Sequence, residues 1–174
     1  MKSALIIGSG GIGVMALFSL LEFQIPKITI VDSEKEKLAM VSSFGYSNVT
    51  TLETDLSDNA LNSGEGFDLI IEAAGSTTAL KRAVEIANPC GKIVCLGHQK
   101  TTELDFGLVM KKSLSIFGSI GSTGGFEKAI KIIENNYANI SKLITRIVPL
   151  EKAEEYFKTQ LKSSIDIKVL IDLK

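Results

Sequence analysis

The sequence predicts an α/β protein with a doubly wound parallel sheet in three layers. Three observations predict this fold class. Strand-like apolar segments alternate with helix-forming segments, the connections are long enough for crossover helices, and 174 residues with 45% hydrophobic content supply one core. Parallel strands need long crossovers, whereas antiparallel strands can be joined by short hairpins.

Short apolar runs, several of them ended by a glycine or an acidic residue, predict the strands. The run ALIIG at 4–8 opens the series, ITIVD follows at 28–32, and the strand expected near 48–51 is the weakest. In chain order the expected strands are 4–8, 28–32, 48–51, 67–75, 92–97, 114–118 and 167–173.

Helices are predicted where apolar side chains recur at helical spacing and where capping residues mark the ends. In the first helix, the small or apolar residues expected on the buried face are Ile12, Met15, Ala16, Ser19, Leu20 and Phe23. Ser33 with Glu36 has the spacing of a capping box and predicts the start of the second. The expected helices are 12–23, 33–45, 76–88, 124–137 and 151–161, with 53–66 a short helix or a surface loop.

Charge and cysteine content exclude two classes of protein. Nineteen Lys and Arg residues against twenty Asp and Glu give a net charge of −1, so there is no basic surplus for nucleic acid. The two cysteines, Cys90 and Cys95, are too few for a disulfide scaffold. We therefore expect no nucleic-acid partner and a reducing, cytoplasmic location.

The uncharged segment 3–21 follows Lys2 and admits an alternative interpretation as a leader peptide or a membrane span. Its four glycines would weaken a spanning helix. The strand expected at 28–32 continues the same alternation of strands and helices, which a cleaved leader would not need. We expect no membrane association.

A glycine-rich motif lies between the first strand and the first helix. Gly8-Ser9-Gly10-Gly11-Ile12-Gly13 matches GxGxxG. In a dinucleotide site of the Rossmann type, the first glycine permits a tight turn, the second lets a pyrophosphate approach, and the third allows close helix packing. Helix N–H groups and the helix dipole then attract the phosphates.

Asp32 ends the second strand, 19 residues after Gly13. A carboxylate at this point can accept both hydroxyls of an adenosine ribose, and it repels the 2′-phosphate of NADP. Strand, glycines, helix and acid together predict NAD binding. A methyl donor such as S-adenosylmethionine, which also uses a glycine-rich first turn, stays open as an alternative on fold analogy.

The chain resembles the cofactor-binding half of the medium-chain dehydrogenase/reductase family, in particular the zinc-type alcohol and polyol dehydrogenases. Seven segments carry the resemblance in order along the chain: ALIIGSGGIGVMAL, VDSEKEKLAMVSSFG, FDLIIEAAGS, NPCGKIVCLGH, LSIFGSIG, SKLITRIVPLEKAEEYF and SSIDIKVLI. They are distributed in order along essentially all of residues 1–174, and the resemblance is far more specific than the glycine motif alone.

The resemblance implies contacts with the dinucleotide at strand ends and at the start of the first helix. The implied residues are Gly8, Gly10 and Gly13, with Gly11 and Ile12, at the pyrophosphate; Asp32 and Lys37 at the adenosine ribose; Ala73, Ala74 and Gly75 along the cofactor; Leu96, Gly97 and His98 towards the nicotinamide; Phe117 at the carboxamide; and Lys168 at the pyrophosphate. Some members have arginine where Lys168 stands, and lysine lacks the bidentate fork of arginine.

Family members also carry an N-terminal catalytic domain with the substrate pocket and the catalytic zinc, to which this sequence has no counterpart. The resemblance therefore implies zinc only in that other domain. Cys90, Cys95 and His98 lack the spacing of a zinc site, and we expect no metal here. His98 is a possible proton donor beside the nicotinamide, but a solvated strand-end histidine is the commoner case. We expect no catalytic residue in this chain.

The same resemblance divides the chain into a nucleotide-binding domain, 1–137, and a segment, 138–174, that packs on the catalytic domain. Six apolar side chains of that segment would then be exposed: Ile140, Leu143, Ile147, Val148, Leu150 and Ile165. Strand 114–118 would form a homodimer through its edge. The expected function is NAD(H) binding for an alcohol or polyol dehydrogenase, inactive alone; a non-enzymatic NAD sensor is the alternative.

Overall fold

The computed structural model describes residues 1–56, 61, 66–98, 101–121, 124–159 and 166–173. The chain divides into two compact units, Met1–Gly125 and Phe126–Lys174. The functional division at residue 137 stays a prediction. Most of 53–66, the end of the helix expected over 151–161, and Ile165 lie outside the described residues.

The first unit contains a six-stranded parallel sheet with strand order β3-β2-β1-β4-β5-β6. The order reverses between β1 and β4. Since crossovers between parallel strands are right-handed in nearly all proteins, those on the two sides of that reversal place helices on both faces, as expected for the three-layered, doubly wound α/β fold. The strands are β1 Ser3–Ile7, β2 Lys27–Asp32, β3 Val49–Glu53, β4 Phe67–Glu72, β5 Ala87–Cys95 and β6 Ser115–Gly118.

The central strands are apolar along their whole length because both of their faces are covered. Leu5, Ile6, Ile70 and Ile93 are fully buried. Ile7 pairs with Val31 on one side, so the carboxyl ends of β1 and β2 stay level at one edge of the sheet. That edge is where a doubly wound sheet binds its ligands.

Four helices belong to the first unit: α1 Gly11–Glu22, α2 Lys35–Ser42, α3 Thr77–Ile86 and α4 Phe106–Lys111. Ser76 caps α3 as expected, since its hydroxyl accepts a hydrogen bond from the Ala79 N–H at 3.1 Å. The sequence analysis missed α4, a helix of only six residues.

The face of α1 expected to be buried is wrong in part. Leu20 is buried, as expected, but Ile12 and Phe23 are exposed. The fully buried side chains Val14, Leu17 and Phe18 lie outside the expected set. The helix is apolar on nearly every side, so periodicity did not select a face. Gly13 selects it instead, because its missing side chain lets α1 lie against the end of β1.

The capping box at the start of α2 is also wrong. Glu34, not Ser33, is the N-cap residue, and its side chain makes no capping hydrogen bond. The side-chain acceptor at the start of α2 is the Asp32 carboxylate, whose Oδ1 accepts the Glu34 N–H at 3.0 Å.

The second unit holds a separate two-stranded parallel sheet and short helices. Its elements are α5 Phe126–Asn135, α6 Tyr137–Ile140, a 3-10 turn Ser141–Leu143, β7 Ile144–Pro149, α7 Leu150–Thr159 and β8 Lys168–Asp172. The sequence analysis missed β7, whose residues are mostly exposed and lack a continuous apolar run.

The predicted exposed patch of the second unit is wrong for two of its members. Leu143, at the end of the 3-10 turn, and Val148, in β7, are buried. Val148 pairs with Ile171 of β8, and α7 packs against both strands. Ile147 and Leu150 are exposed, as expected, and Ile140 is half-buried. Among the helices that the structure describes, none has the length and apolarity needed to cross a membrane.

Candidate nucleotide-binding site

The glycine-rich turn is shaped by close contacts between backbone atoms. Gly8 has φ +100°, a conformation that favours glycine, and its N–H donates to the Val31 carbonyl at 2.8 Å. A Cβ on Gly13 would lie 1.8 Å from the Gly8 carbonyl oxygen, so only glycine fits there. A Cβ on Gly10 would meet nothing within 4 Å. The turn is therefore packed on its inner side and open at Gly10.

Gly10 is also the N-cap residue of α1 and offers no side chain to cap it. The first N–H groups of a helix have no partner inside the helix, and they carry the positive end of its dipole. Open space beside uncapped N–H groups is suited to a phosphate.

Asp32 faces this turn. Its Oδ2 accepts the Ser9 N–H at 2.6 Å and the Ser9 hydroxyl at 2.8 Å. Its backbone carbonyl accepts the Thr54 N–H at 3.0 Å, so the end of β2 is also fixed to the residue after β3. The carboxylate thus lies next to the turn, where the sequence predicted it.

A cleft of about 250 Å³ lies beside Asp32, among the ends of the first three strands and the loop after β4. It is lined by Ile7, Gly8, Val31, Asp32, Ser33, Thr54, Asp55, Leu56, Ala74 and Ser76. Its volume is below the roughly 300–1,000 Å³ of a complete small-molecule pocket. The cleft suits one part of a dinucleotide, such as the adenosine, and the rest must lie elsewhere.

A second cleft of about 520 Å³ lies at the ends of β5 and β6. It is lined by Leu80, Cys95, Leu96, Gly97, His98, Thr101, Thr102, Gly118, Ser119 and Ile120. Both clefts are at the carboxyl edge of the sheet, one on each side of the reversal in strand order. An extended ligand across that point would cross the glycine-rich turn.

Glu72 is a fully buried carboxylate at the end of β4, between the two clefts in strand order. Its Oε1 accepts the N–H groups of Ala74 at 2.9 Å and Gly75 at 2.7 Å. Its backbone carbonyl accepts those of Leu96 at 2.8 Å and Gly97 at 3.0 Å. One residue therefore holds the loops that follow both β4 and β5.

The Cys95 thiol lies opposite Glu72 in the strand register. Burial raises the pKa of Cys95, and the negative charge of Glu72 raises that pKa further. The thiol is therefore held protonated, which disfavours a role as nucleophile or metal ligand.

A model of the family described as zinc-binding dehydrogenase matches residues 11–135. The chain belongs to this family. A zinc-type alcohol dehydrogenase-like protein of Haemophilus influenzae is 30% identical over 87% of the chain and 45% of its own length. D-xylulose reductase A of Aspergillus oryzae is 28% identical over 98% of the chain and 50% of its own length.

Solved structures of zinc-binding dehydrogenases and similar enzymes share the fold. The 2R,3R-butanediol dehydrogenase of Bacillus subtilis matches 99% of this chain and 51% of its own, with TM-score 0.85 and 21% identity. A Sinorhizobium meliloti protein described as a zinc-binding dehydrogenase, bound to NADP, matches 98% and 52%, with TM-score 0.83 and 19% identity. An Escherichia coli protein described as a short chain alcohol dehydrogenase, complexed with NADH, matches 98% and 52%, with TM-score 0.81 and 23% identity.

These likenesses show that the first unit has the fold of the NAD(P)-binding domain in medium-chain, zinc-type dehydrogenases. The chain spans about half the length of the curated relatives that it matches. Among the residues that the structure describes, no group of three or more histidine, cysteine or acidic side chains can hold a metal ion.

The structure brings most of the residues singled out in this member of the zinc-binding dehydrogenase family to the two clefts or to the turn between them. Phe117 lies in β6, where it is half-exposed, and the cleft is lined by the residues that follow it. Lys37 is half-buried in α2 and lines neither cleft. Lys168 begins β8 in the second unit, so its role at the pyrophosphate stays a prediction.

Ser9 and Glu72 were not among the residues predicted from the sequence. Ser9 lies inside the glycine motif, and the spacing of that motif does not reveal a hydrogen bond to Asp32. Glu72 left a clear signal, because it is an acidic residue at the end of the otherwise buried strand FDLIIE. A carboxylate buried in such a strand needs hydrogen-bond donors, and the backbone N–H groups of Ala74 and Gly75 supply them.

Proposed function

We propose that this chain binds NAD(H) as the cofactor-binding half of a zinc-type alcohol or polyol dehydrogenase. One observation carries the proposal: the Asp32 carboxylate is hydrogen-bonded to the glycine-rich turn, beside a cleft and beside the open space at Gly10. A sugar diol and a diphosphate can be bound next to each other by this arrangement.

The parts of the dinucleotide fit the two clefts in order. Adenosine fits the cleft beside Asp32, the pyrophosphate fits the open turn at Gly10, and the nicotinamide fits the cleft at Gly97 and His98. When bound, the nicotinamide ring accepts or donates the hydride. This chain binds and orients the cofactor, and its contribution is position and electrostatics.

In this proposal, another domain binds the substrate and the catalytic zinc. The reaction would be oxidation of a secondary alcohol, such as a polyol, with hydride transfer to NAD. We assign His98 a place in the cleft wall rather than an acid–base role. The chain by itself should bind NAD and turn over no alcohol. The two free cysteines fit a cytoplasmic setting.

Replacing Asp32 with serine tests the proposal. At a cofactor concentration about 100-fold above Kd, binding stabilises the wild-type chain by about 2.7 kcal/mol. That raises Tm by roughly 5–11 °C for a domain of this size. We expect NAD to raise the wild-type Tm more than NADP does, because the carboxylate repels the 2′-phosphate. Asp32→Ser should shrink this difference, as measured by thermal unfolding with each cofactor. Equal stabilisation of the wild type by both cofactors would contradict the role of Asp32.

We also propose that the chain forms a homodimer through β6. This strand is the edge of the sheet, and among the described residues it pairs only with β5. Ile116 and Phe117 are 37% and 50% exposed, and an apolar sheet edge favours pairing with a second copy.

Ile116→Lys is expected to give a monomer, because two lysines would approach each other across the paired strands and because charge protects a strand edge. Light scattering coupled to size-exclusion chromatography measures the mass. Lys111→Met, on exposed helix α4, changes charge away from β6 and should leave the dimer intact. A wild-type chain that stays monomeric at high concentration argues against the dimer.

A further inference from the structure

Ser9 is fully buried and makes two hydrogen bonds to the same oxygen of Asp32. Its backbone N–H and its hydroxyl both donate to Oδ2, at 2.6 and 2.8 Å. We infer that the Ser9 hydroxyl positions the Asp32 carboxylate and thereby sets the preference for NAD over NADP. The inference deepens the proposed function and rests on it.

The hydrogen bonds of Asp32 leave little freedom for its two oxygens. A carboxylate offers about four acceptor positions, two on each oxygen. On Oδ2 both are taken by Ser9, and on Oδ1 one is taken by the Glu34 N–H at 3.0 Å. By this count, Oδ1 has one acceptor position left, which is enough for one ribose hydroxyl and not for both hydroxyls expected from the sequence.

The hydrogen bonds of Ser9 decide which oxygen a ribose can reach. Ser9 is fully buried and both of its donors bind Oδ2, so this oxygen faces the turn and has no acceptor position left for a ligand. A ribose hydroxyl in the adjoining cleft must therefore meet Oδ1. The same oxygen would face the 2′-phosphate of NADP. Both the hydrogen bond to NAD and the repulsion of NADP therefore depend on how firmly the carboxylate is held.

Loss of the Ser9 hydroxyl would leave only one Ser9 donor on Oδ2. The buried acceptor position would lose its partner, and the carboxylate would gain freedom to rotate towards water and away from the ribose. Binding of NAD would weaken, since its 2′-hydroxyl needs a fixed acceptor. Binding of NADP would not weaken in proportion, since it gains nothing from that acceptor.

Isothermal titration calorimetry of the 174-residue chain with NAD and with NADP tests this inference. We expect Ser9→Ala to raise the Kd for NAD about tenfold and to change the Kd for NADP less than about twofold. In a chain that already carries Asp32→Ser, the further change Ser9→Ala should leave the ratio of the two Kd values unchanged, because Ser9 acts through Asp32.

Ser19→Ala is the matched control. Its hydroxyl donates to the Met15 carbonyl within α1 at 3.1 Å, so the change removes one hydroxyl without touching Asp32. Ser19→Ala should leave the ratio of the Kd values for NAD and NADP as in the wild type. If Ser9→Ala fails to fold, Ser9→Cys keeps a side chain of similar size with a much weaker donor and should shift the ratio in the same direction.

The outcomes separate this inference from the proposed function. A wild type that binds neither cofactor overturns both. A wild type that prefers NAD, with Ser9→Ala weakening NAD and NADP by the same factor, overturns only the inference, since a merely structural role would act on both cofactors alike. A shifted ratio that persists in the Asp32→Ser chain also overturns it.

Discussion

Replacing Gly13 with alanine is expected to destabilise the protein by at least about 3 kcal/mol, at the upper end of overpacking costs. The new Cβ would lie 1.8 Å from the Gly8 carbonyl oxygen and 2.9 Å from the Gly8 carbonyl carbon. Both are backbone atoms, and Gly8 is held by its own hydrogen bond to Val31. Neither side can move without separating α1 from the end of β1.

Gly10→Ala is the matched variant within the same turn. A Cβ at Gly10 would enter open space, and the backbone there, with φ −68°, accepts any L-residue. We expect wild-type stability with at least about a tenfold loss of NAD affinity, because the methyl group occupies the approach to the helix N-terminus.

Urea unfolding and NAD titration of the two variants separate packing from binding. The expected pattern is a large fall in midpoint for Gly13→Ala alone and a loss of NAD binding with an unchanged midpoint for Gly10→Ala. Equal stability of Gly13→Ala and the wild type would contradict the packing role. Unchanged NAD affinity of Gly10→Ala would contradict the place assigned to the pyrophosphate.

Much of the first unit could be predicted because its signals are local. Buried parallel strands are apolar along their length, so ALIIG, ITIVD and FDLII are recognisable, and the GxGxxG spacing gives the turn its shape. Even the proximity of Asp32 to the turn follows from level strand ends in a parallel sheet. These features need no knowledge of distant contacts.

What could not be predicted depends on contacts across the fold. The buried face of α1 is chosen by Gly13 against Gly8, and periodicity in a helix with apolar residues on all sides does not reveal it. The start of α2 is set by Asp32 rather than by the nearby Ser33, because a carboxylate on the preceding strand reaches the Glu34 N–H. Burial of Val148 follows from the pairing of β7 with a strand about twenty residues away.

Glu72 was predictable only in part. Its position at the end of an apolar strand is visible in the sequence, but its hydrogen-bond partners are not. The residue lies where the sheet reverses its strand order, and it holds two loops that line the clefts. A change at Glu72 should therefore affect stability and both clefts together.

Glu72→Leu is expected to cost about 2 kcal/mol, because two part-buried hydrogen bonds, from the N–H groups of Ala74 and Gly75, lose their acceptor at about 1 kcal/mol each. Removing the carboxylate also relieves its desolvation, but deleting one partner of a buried polar contact normally destabilises the fold. Glu72→Gln keeps one acceptor oxygen and should cost about 1 kcal/mol. Urea unfolding measures both, and a leucine variant as stable as the wild type would contradict the bridging role.

The pKa of the Cys95 thiol provides a measure of the charge on Glu72 that is independent of protein stability. Burial is the larger cause of the raised pKa of Cys95 and Glu72 the smaller, so Glu72→Gln should lower this pKa part of the way towards its ordinary value. Only the thiolate reacts with an alkylating agent, so a lower pKa moves the onset of alkylation to lower pH. In a Cys90→Ser background, which removes the exposed thiol, we expect Cys95 to react faster at pH 8 after Glu72→Gln. Glu85→Gln removes an exposed carboxylate on α3 and should leave the rate unchanged. An identical pH profile for Glu72→Gln and the wild type would show that the carboxylate charge does not reach Cys95.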